Sequence, residues 1–389
     1  MKTVGVFFGS RSPEHDISIL TALRVMGAFS SLAGYAPVPV YIDRKGAWFS
    51  DALLRDAAFF QNPQYEKELG RFALDAIRFE DGKLVLARRR GTFFSSAKPV
   101  IIDIAFPCFH GSYGEDGTIQ GLFEMAGVPY VGCGVGSSAI AMNKIQTRRL
   151  LAAAGIPGVK TIEVPRDDFF KDHASAVERT AAAFGYPAFV KPNSLGSSIG
   201  VARVASAQEL VWALEVALQF DTLALVEQAV ANVQEVNVAV IGHRELTISL
   251  TEEPQFRSAF QTFEEKYLLK GGTIAQSANG ESKGKTKSVI PADIPEELRT
   301  ALTTGAATAF RAIGCSGISR LDFLIDRASG AWYLAEINPL PGTLQAHLWQ
   351  ASGVPLPELV QKLLGFAQER HQEERALMRV FASSILAKK

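Results

Sequence analysis

The stretch Ile318-Ser-Arg-Leu-Asp-Phe-Leu-Ile-Asp326, continued by Tyr333-Leu-Ala-Glu-Ile-Asn-Pro-Leu-Pro-Gly-Thr-Leu344, decides how the rest of the chain is interpreted. Its pattern is typical of two adjacent strands. Asp322, Glu336 and Asn338 would then place three oxygen ligands on rigid backbone, with Arg320 beside them. Such oxygens suit Mg²⁺ that shares its shell with nucleotide phosphates. The stretch therefore indicates chemistry on ATP.

Length and composition indicate a globular protein of more than one domain. The chain has 389 residues, of which 47% are hydrophobic and 21% charged, enough for two or three domains with large cores. Lys+Arg and Asp+Glu both number 40, so we expect no general attraction to nucleic acid or to an anionic membrane. No uninterrupted apolar run approaches the ~18 residues of a membrane span. Small-molecule partners are therefore favoured.

The three cysteines, Cys108, Cys133 and Cys315, are scattered without paired spacing. This usage is typical of small core residues in a reducing compartment and argues against a disulfide framework or a cysteine metal site. No secretory signal is visible. We therefore expect a cytoplasmic protein.

The N-terminal region has the pattern of a parallel sheet. Residues 3–8 and 37–42 are predicted strands, and residues 17–32 between them are a predicted helix. Residues 50–100 are more polar and are predicted to form an excursion from this domain. Residues 100–106 are predicted to be another single strand. The βαβ order indicates an α/β fold.

The middle of the chain alternates helices, strands and loops rich in glycine. A single helix is predicted over residues 138–154. Strands at 188–191 and 201–204 enclose a Gly/Ser loop, and Ser206 with Glu209 resembles a capping box that opens a helix. The polar segment 255–287 lacks periodicity, and a loop of this length in a compact enzyme is typically either a lid or disordered.

Three short patterns suggest other enzyme classes, and their contexts argue against each. Residues 196–200 match the Gly-x-Ser-x-Gly elbow of hydrolases, but that elbow requires a helix directly after it, and a strand is predicted here. Residues 132–136 resemble a dinucleotide fingerprint with its third glycine misplaced. Gly284-Lys-Thr286 resembles the end of a P-loop, but no apolar strand precedes it.

The Gly/Ser loop is a candidate phosphate site. Glycines allow backbone N–H groups to approach phosphate oxygens, and Ser197 and Ser198 add side-chain donors. Lys191 and Lys144 would add positive charge. A simple flexible hairpin is the alternative for the loop taken alone, and the downstream acidic residues weigh against it.

Several motifs occur in a fixed order along the chain: Ser12-Pro-Glu-His-Asp-Ile-Ser18, His110-Gly-x-x-Gly-Glu-Asp-Gly117, Lys191-Pro-x-x-x-Gly-Ser-Ser-x-Gly200, Glu265-Lys-Tyr267, Arg320-x-Asp322 and Glu336-x-Asn338-x-x-Pro-Gly342. Together they resemble the D-alanine–D-alanine ligases, a family of the ATP-grasp superfamily. The resemblance extends over residues 3–364. It implies an α/β ATP-grasp fold and a homodimer.

The resemblance also implies a division into three domains. A Rossmann-like domain with a parallel sheet would occupy residues 1–132. Two ATP-grasp subdomains would follow over residues 133–226 and 227–389, with a lid loop at about 256–287. ATP would lie between these two subdomains.

The resemblance implies which residues bind ATP and metal. Asp322, Glu336 and Asn338 would hold two Mg²⁺ ions, with Mn²⁺ as an alternative. The implied ATP-binding residues are Lys144, Lys191, Ser197, Ser198, Glu227, Glu235 and Lys266.

The implied reaction activates a carboxylate by phosphorylation, and an amine then attacks the acylphosphate. Arg320 and the Gly342 backbone N–H would stabilise the oxyanion, a contact worth roughly 3–4 kcal/mol. Glu14, Ser197 and Tyr267 would form a hydrogen-bonded trio, in which Glu14 also receives the ammonium of the first amino acid. His110 would lie near that amino acid, and the segment 256–272 would exclude water as a lid.

The pattern departs from the family beyond Gly342. His347 stands where the family usually has a Ser that, with its neighbour Leu348, binds the carboxylate of the second amino acid. Trp349 is close by in the sequence. The leading hypothesis is an ATP-dependent ligase of two D-alanines for peptidoglycan. The alternative is an ATP-grasp amide ligase of specialised metabolism with a different acceptor amine, and a third hypothesis is a non-catalytic nucleotide-binding protein.

Overall fold

A computed structural model describes residues 1–88, 99–255, 288–378 and 385 of the chain. The predicted lid at 256–287, with Lys266 and Tyr267, lies outside these residues, as does the Gly284-Lys-Thr286 motif. The roles predicted for them stay predictions.

The first part of the chain contains a parallel sheet and a smaller antiparallel sheet. Its elements are β1 (Lys2–Gly9), α1 (His15–Ala28), β2 (Tyr35–Ile42), β3 (Trp48–Phe49), α2 (Ala57–Gln61), α3 (Tyr65–Glu68), β4 (Leu74–Glu80), β5 (Lys83–Arg88), β6 (Val100–Ile102), β7 (Ile104–Pro107) and α4 (Thr118–Ala126). The larger sheet has the order β3-β2-β1-β7, with β2, β1 and β7 parallel. The predicted βαβ opening is confirmed.

The single strand predicted over residues 100–106 is wrong, because two strands meet there. β6 pairs with β5 in the small sheet, whereas β7 pairs with β1 in the parallel sheet. Asp103 lies between them, and its carboxylate accepts from the Thr3 backbone N–H at 2.8 Å and pairs with Lys83 at 2.8 Å. A continuous apolar run does not reveal where a strand changes sheets.

The polar excursion predicted at residues 50–100 packs against the parallel sheet and shares its core, since Leu84, Leu86 and Ile102 lie in one cluster with Phe7 and Val40. The antiparallel sheet β4-β5-β6 buries the side chains of Leu84, Leu86 and Ile102 completely. Alternate residues of β5 and β6 supply this apolar face, as expected for strands covered on one side.

The central part is built on an antiparallel sheet of order β10-β9-β11-β8. Its elements are α5 (Val135–Met142), α6 (Lys144–Ala153), β8 (Thr161–Pro165), α7 (Arg166–Lys171), α8 (His173–Ala183), β9 (Ala188–Pro192), β10 (Ala202–Val204), α9 (Ala207–Phe220) and β11 (Leu223–Gln228). The Gly/Ser loop joins the antiparallel strands β9 and β10, so the exclusion of a hydrolase elbow is confirmed. Ser206 caps α9 as predicted, accepting from Glu209 N–H at 3.3 Å.

The single helix predicted over residues 138–154 is also wrong. The chain turns at Asn143, whose φ of −90° and ψ of 100° separate α5 from α6. The Asn143 side chain accepts from the Gln146 backbone N–H at 3.0 Å and so caps the second helix. Asparagine competes for backbone hydrogen bonds in this way at helix starts.

The C-terminal part is built on the five-stranded antiparallel sheet β14-β13-β12-β15-β16, which contains Asp322, Glu336 and Asn338. Its elements are β12 (Val233–Gly242), β13 (Leu246–Pro254), β14 (Ser288–Val289), α10 (Glu296–Ala312), β15 (Gly317–Asp326), β16 (Trp332–Asn338), α11 (Ala346–Ala351) and α12 (Leu356–Arg375). The two predicted adjacent strands are β15 and β16.

Core packing joins the parts of the chain. Trp349 and Leu363, from α11 and α12, are fully buried in one cluster with Phe8 and Ile19 of the N-terminal part. Leu151 of α6 belongs to the cluster under the C-terminal sheet. Loops from all three parts are thereby held against the C-terminal sheet.

Candidate active site

A row of polar side chains crosses the C-terminal sheet. Strand register places Glu252 opposite Asn237, Asn237 opposite Asp322, and Asp322 opposite Glu336. Residues directly opposite each other in antiparallel strands share a face of the sheet. Neighbouring strands lie about 4.8 Å apart, so the four side chains form one continuous line. We call this line the polar row.

Arg320 is attached to the centre of the polar row. Its Nε and Nη2 donate to the two carboxylate oxygens of Asp322 at 2.6 and 2.7 Å. Asn338, opposite Arg320, donates from Nδ2 to Asp322 at 3.1 Å. The structure thus brings together the arginine and the predicted ligands of the opening stretch.

A cationic cluster surrounds Glu227 at the end of β11. Glu227 is 3% exposed, and its carboxylate pairs with Lys191 at 2.6 Å and accepts from the Arg148 guanidinium. Burial alone would raise the pKa of Glu227, but Lys191 and Arg148 outweigh it and lower that pKa. We define the cationic cluster as Lys144, Arg148 and Lys191 around this carboxylate.

Lys144, at the first position of α6, links the cationic cluster to the polar row. Its ammonium donates to the backbone carbonyl of Leu195. Asn193 accepts two hydrogen bonds from the start of α6. Its backbone carbonyl accepts from Lys144 N–H at 3.1 Å, and its Oδ1 accepts from Ile145 N–H at 3.1 Å. Burial lowers the pKa of Lys144, while the carboxylate of Glu336 opposes that shift. Lys144 therefore interacts electrostatically with Glu336 at the end of the polar row.

The Gly/Ser loop is held in an unusual backbone conformation. Ser197 and Ser198 have φ values of 53° and 61°, the left-handed region that L residues seldom adopt. Consecutive residues of unusual φ can aim several backbone N–H groups at one anion. Ser194 N–H donates to Asp221 at 2.8 Å and fixes the base of the loop.

A carboxylate pair, Glu14 and Glu115, lies near Arg320, whose charge acts on Glu115. Ser197 donates its hydroxyl to Glu14, which joins the N-terminal loop to the Gly/Ser loop. Glu115 accepts from Gly111 N–H at 2.6 Å. Burial raises the pKa of Glu115 well above its ordinary value, and Glu14 raises it further. A cation placed here would relieve the repulsion.

Glycine is required beside this carboxylate pair. Gly111 has a φ of 71°, and a Cβ atom on it would lie 2.5 Å from Oε2 of Glu14. The Gly111 position in the His-Gly-x-x-Gly-Glu-Asp-Gly motif therefore has a steric reason.

His110 lies beneath the site, with 4% of its surface exposed. Its Nε2 and Thr21 Oγ1 are 2.8 Å apart, and Thr21 Oγ1 also accepts from Thr343 N–H at 3.1 Å. Burial lowers the pKa of His110 to about 4, so the ring is neutral near pH 7. His110 therefore connects α1 to the loop that carries Gly342.

The loop after Gly342 contains three consecutive non-glycine residues in left-handed conformation. Thr343, Leu344 and Gln345 have φ values of 50°, 55° and 50°. Each such residue is unfavourable by about 1–2 kcal/mol. Leu344 is fully buried, so core packing holds the strained loop. Strain of this kind clusters at functional sites.

His347 faces Glu252 at the β13 end of the polar row. Nε2 of His347 lies 2.6 Å from Oε1 of Glu252, and the imidazole is 48% exposed whereas Glu252 is 4% exposed. Leu348 and Trp349 are fully buried in the core. The side chain of Leu348 therefore points away from the site, and Trp349, which had supported a different acceptor, is a core residue.

The remaining predicted residue, Glu235, is exposed on β12 opposite Leu324.

Four site residues were missed by the sequence-based prediction. Helical spacing after Lys144 could have revealed Arg148, and Glu115 stands inside a quoted motif. The positions of Asn237 and Glu252 in the site depend on the strand register, which cannot be read from the sequence. These four are Arg148, Glu115, Asn237 and Glu252.

Two family models match the chain over most of its length. The model described as D-ala D-ala ligase N-terminus matches residues 3–133, and the model described as D-ala D-ala ligase C-terminus matches residues 150–365. A D-alanine–D-alanine ligase of Chlorobium limicola is 36% identical over 372 residues, 95% of this chain and 97% of the relative. One of Geobacillus kaustophilus is 34% identical over 390 residues, 98% and 99% of the two chains.

Solved structures agree with these relatives. The D-alanine–D-alanine ligase of Coxiella burnetii has a TM-score of 0.78 at 27% identity, covering 97% of each chain. VanG D-Ala:D-Ser ligase of Enterococcus faecalis has a TM-score of 0.73 at 28% identity, covering 94% of this chain and 99% of that one. The chain therefore belongs to the D-alanine–D-alanine ligase family and has its ATP-grasp fold.

Proposed function

We propose that the protein joins two D-alanines in an ATP-dependent, ADP-forming reaction that supplies a peptidoglycan precursor. The observation that carries this proposal is that one site holds both a cationic cluster, linked to Glu336 of the polar row through Lys144, and a carboxylate pair near Arg320. A polyphosphate fits the first and an amino-acid ammonium fits the second. A carboxylate must be activated before an amine can displace its oxygen, and phosphorylation provides the leaving group.

Lys144 and Lys191 of the cationic cluster would bind the phosphates of ATP. Lys144 is partly buried near Lys191 and Arg148, and the repulsion among these cations would fall when an anion binds. Ser197 and Ser198 would add donors from the Gly/Ser loop. These residues would orient the γ-phosphate toward the first amino acid, since phosphoryl transfer depends mainly on positioning and charge neutralisation. Glu227 and Glu235 would line the nucleoside end.

The predicted ligands fit Mg²⁺ in their chemistry. Asp322, Glu336 and Asn338 offer carboxylate and amide oxygens, the donors that this ion takes. In the described part of the chain, no group of three or more His, Cys, Asp or Glu side chains is placed to hold a metal. Phosphate oxygens would therefore complete the shells of two Mg²⁺ ions, with Mn²⁺ as an alternative. Bound metal would neutralise charge on the transferring phosphoryl group.

The carboxylate pair would bind the first amino acid. Glu14 would accept the α-ammonium while Ser197 holds Glu14 in place. Glu115, whose pKa burial and Glu14 raise, would share the positive charge. His110 stays neutral beneath them and keeps the Gly342 loop in register through Thr21.

Amide formation would take place beside Arg320. The amine of the second amino acid attacks the acylphosphate carbon, phosphate leaves, and the amine loses its proton. Arg320 and the Gly342 N–H would stabilise the oxyanion of the tetrahedral intermediate. The segment 256–287, with Lys266 and Tyr267, would exclude water while the acylphosphate exists.

The second amino acid would lie near His347 and the backbone at Leu348. The comparisons do not favour the alternative ligase of specialised metabolism, because the relatives are D-alanine–D-alanine ligases along nearly the whole chain. A panel of D- and L-amino acids with ATP and Mg²⁺, followed by mass spectrometry, tests the proposal. D-alanyl-D-alanine with equimolar ADP is expected, and absence of ADP release with D-alanine would rule the proposal out.

Three further features belong to this proposal. We expect the division into domains 1–132, 133–226 and 227–389, a homodimer, and a cytoplasmic site of action. Among the described residues, no helix is both long and apolar enough to cross a bilayer. Light scattering coupled to gel filtration tests the dimer directly.

A further inference from the structure

Two adjacent arginines on α6 have opposite environments. Arg148 is 13% exposed and bonds Glu227, which is 3% exposed. Arg149 is 59% exposed and pairs with Glu163 at 2.7 Å on the surface. An exposed pair of this kind contributes little to stability, whereas a buried carboxylate depends strongly on its partners. Arg148 is therefore the arginine of α6 whose loss would reach the site.

The Arg148 guanidinium is fixed within the wall of the site. Its Nε and Nη1 are buried and have no hydrogen-bond partner among the described residues. A Cβ atom at Gly158 would lie 3.0 Å from Nη1, so the loop before β8 closes against it. Within the described part of the chain, Nη2 alone makes a hydrogen bond, which goes to Glu227. The group is placed to stay with Glu227 rather than to move onto a ligand.

Glu227 thus has two cationic partners, Arg148 and Lys191, and Lys191 is also proposed to bind the phosphates of ATP. Lys191 Nζ is 2.6 Å from the Glu227 carboxylate. To contact a phosphate, the lysine must weaken this pair. A buried carboxylate left without a cation is strongly unfavourable, and it would hold Lys191 back.

We propose that Arg148 is a positioning residue that keeps Glu227 neutralised and so releases Lys191 to the phosphates of the nucleotide. The inference rests on the proposed function for the identity of the nucleotide, and it extends that function to a residue outside the predicted site. Arg148 acts through Glu227 and does not touch ATP. Its loss should therefore affect nucleotide binding only while residue 227 carries a negative charge.

A double-mutant cycle tests this dependence. In the parent, Arg148→Met should raise KM for ATP by at least about tenfold, since Lys191 becomes the sole counter-ion of Glu227. KM for D-alanine should stay unchanged. In a Glu227→Gln background, Arg148→Met should change KM for ATP by less than about threefold, because no carboxylate then holds the lysine. Equal effects in the two backgrounds would overturn the proposal.

Arg149→Met is the matched control, with the same substitution one residue along the same helix. It should leave KM for ATP as in the parent, and an effect equal to that of Arg148→Met would contradict the proposal. Arg148→Lys keeps the charge and can make the single bond that Arg148 makes. With thermal unfolding followed in every variant, a normal melting temperature combined with a tenfold rise in KM for Arg148→Lys would also contradict it.

Binding of Mg²⁺ with the non-hydrolysable β,γ-imido analogue of ATP separates this inference from the proposed function. If the parent binds the analogue but forms no dipeptide, the proposed function fails while the cycle can still be measured by calorimetry. If the parent forms dipeptide and the cycle shows no coupling between residues 148 and 227, the inference alone fails.

Discussion

The site has two carboxylate environments, the cationic cluster around Glu227 and the pair Glu14 and Glu115, and they shift the pKa of a carboxylate in opposite directions. These are the two sides of the site. Glu227, in the cationic cluster, is buried beside Lys191 and Arg148, and these cations lower its pKa although burial alone would raise it. Glu115 is partly buried beside Glu14, and both burial and this neighbour raise its pKa. Burial acts in the same direction on the two carboxylates, so the neighbouring charges decide whether the pKa is lowered or raised further.

This difference matches the charges of the two proposed ligands. A cluster with more cations than carboxylates suits a polyphosphate, and a pair of carboxylates suits an ammonium group. Arg320 bonds Asp322 of the polar row, and its charge lowers the pKa values of both Glu115 and His110. Substitutions on either side should therefore change different kinetic constants.

Removing Arg320 should have the largest effect, because it serves the step at which both sides meet. Arg320→Ala removes a donor to the oxyanion and leaves Asp322 without its bidentate partner. We expect kcat to fall by about 10²–10³-fold. Steady-state kinetics with saturating ATP and D-alanine measure this. Arg327→Ala, which removes an arginine bonded to Glu253 at 2.9 Å, is the control and should keep kcat.

His110, which lies near the carboxylate pair, should make the free energy of unfolding of the protein depend on pH. The pKa of His110 is lowered to about 4, so between pH 6.5 and 4 the unfolded chain binds a proton that the folded chain does not. The free energy of unfolding should therefore decrease as the pH is lowered from 6.5 to 4, and this residue should account for up to about 3 kcal/mol of the decrease.

Urea unfolding of the parent and of His110→Gln between pH 6.5 and 4 measures the contribution. Other groups, such as Glu115, titrate in both proteins, so the difference between the two curves isolates His110. The variant should show the shallower decline. Parallel curves would mean that His110 titrates alike in the folded and unfolded chains.

Glu14→Gln should alter amino-acid binding without altering nucleotide binding. The substitution removes the charge that would meet the ammonium and keeps a group able to bond Ser197. KM for the first D-alanine should rise by about 10–100-fold, while KM for ATP stays within twofold, as expected for loss of one charged hydrogen bond. Asp16→Asn, on the exposed side of the same turn, is the control. A larger change in KM for ATP than for D-alanine would reverse the assignment of the two sides.

His347→Ser should have the smallest effect. Nε2 of His347 is committed to Glu252, and the pair is half exposed on the histidine side. Loss of His347 should lower the melting temperature, because Glu252 is buried and loses a partner, but the committed imidazole is not available to the acceptor, so KM for the acceptor should change by less than about fivefold. His243→Ser, which removes a histidine 3.1 Å from Glu373, is the matched control. A switch of the preferred acceptor amine after His347→Ser would return the alternative ligase to consideration.

Motifs and periodicity predicted the parallel opening, the strands β15 and β16, and the ligands on them. The two structural predictions succeed because each depends on neighbouring residues in the sequence, and the ligand roles stay predictions. The break at Asn143 and the change of sheet at Asp103 were missed, since a helix cap and a partner switch leave apolar runs continuous. The His347–Glu252 pair was missed because it joins α11 to β13 across 95 residues.

The charge state of the site could be predicted least. The sequence predicted Lys191 and Glu227 to be ATP-binding residues, but it did not show that they bond each other or that Arg148 also bonds Glu227. Likewise, Glu115 belonged to a recognised motif, yet its raised pKa depends on Glu14, which lies about a hundred residues earlier in the chain. Spatial neighbours of this kind set the electrostatics and are visible only in the fold.

The transfer of a carboxylate oxygen tests the central claim most directly. D-alanine labelled with ¹⁸O in both carboxylate oxygens is incubated with the protein, ATP and Mg²⁺, and the dipeptide and phosphate are analysed by mass spectrometry. An acylphosphate route predicts ADP, D-alanyl-D-alanine that has lost a single label from the donor carboxylate, and inorganic phosphate that carries that label. Dipeptide formed with unlabelled phosphate, or label recovered in AMP, would contradict it.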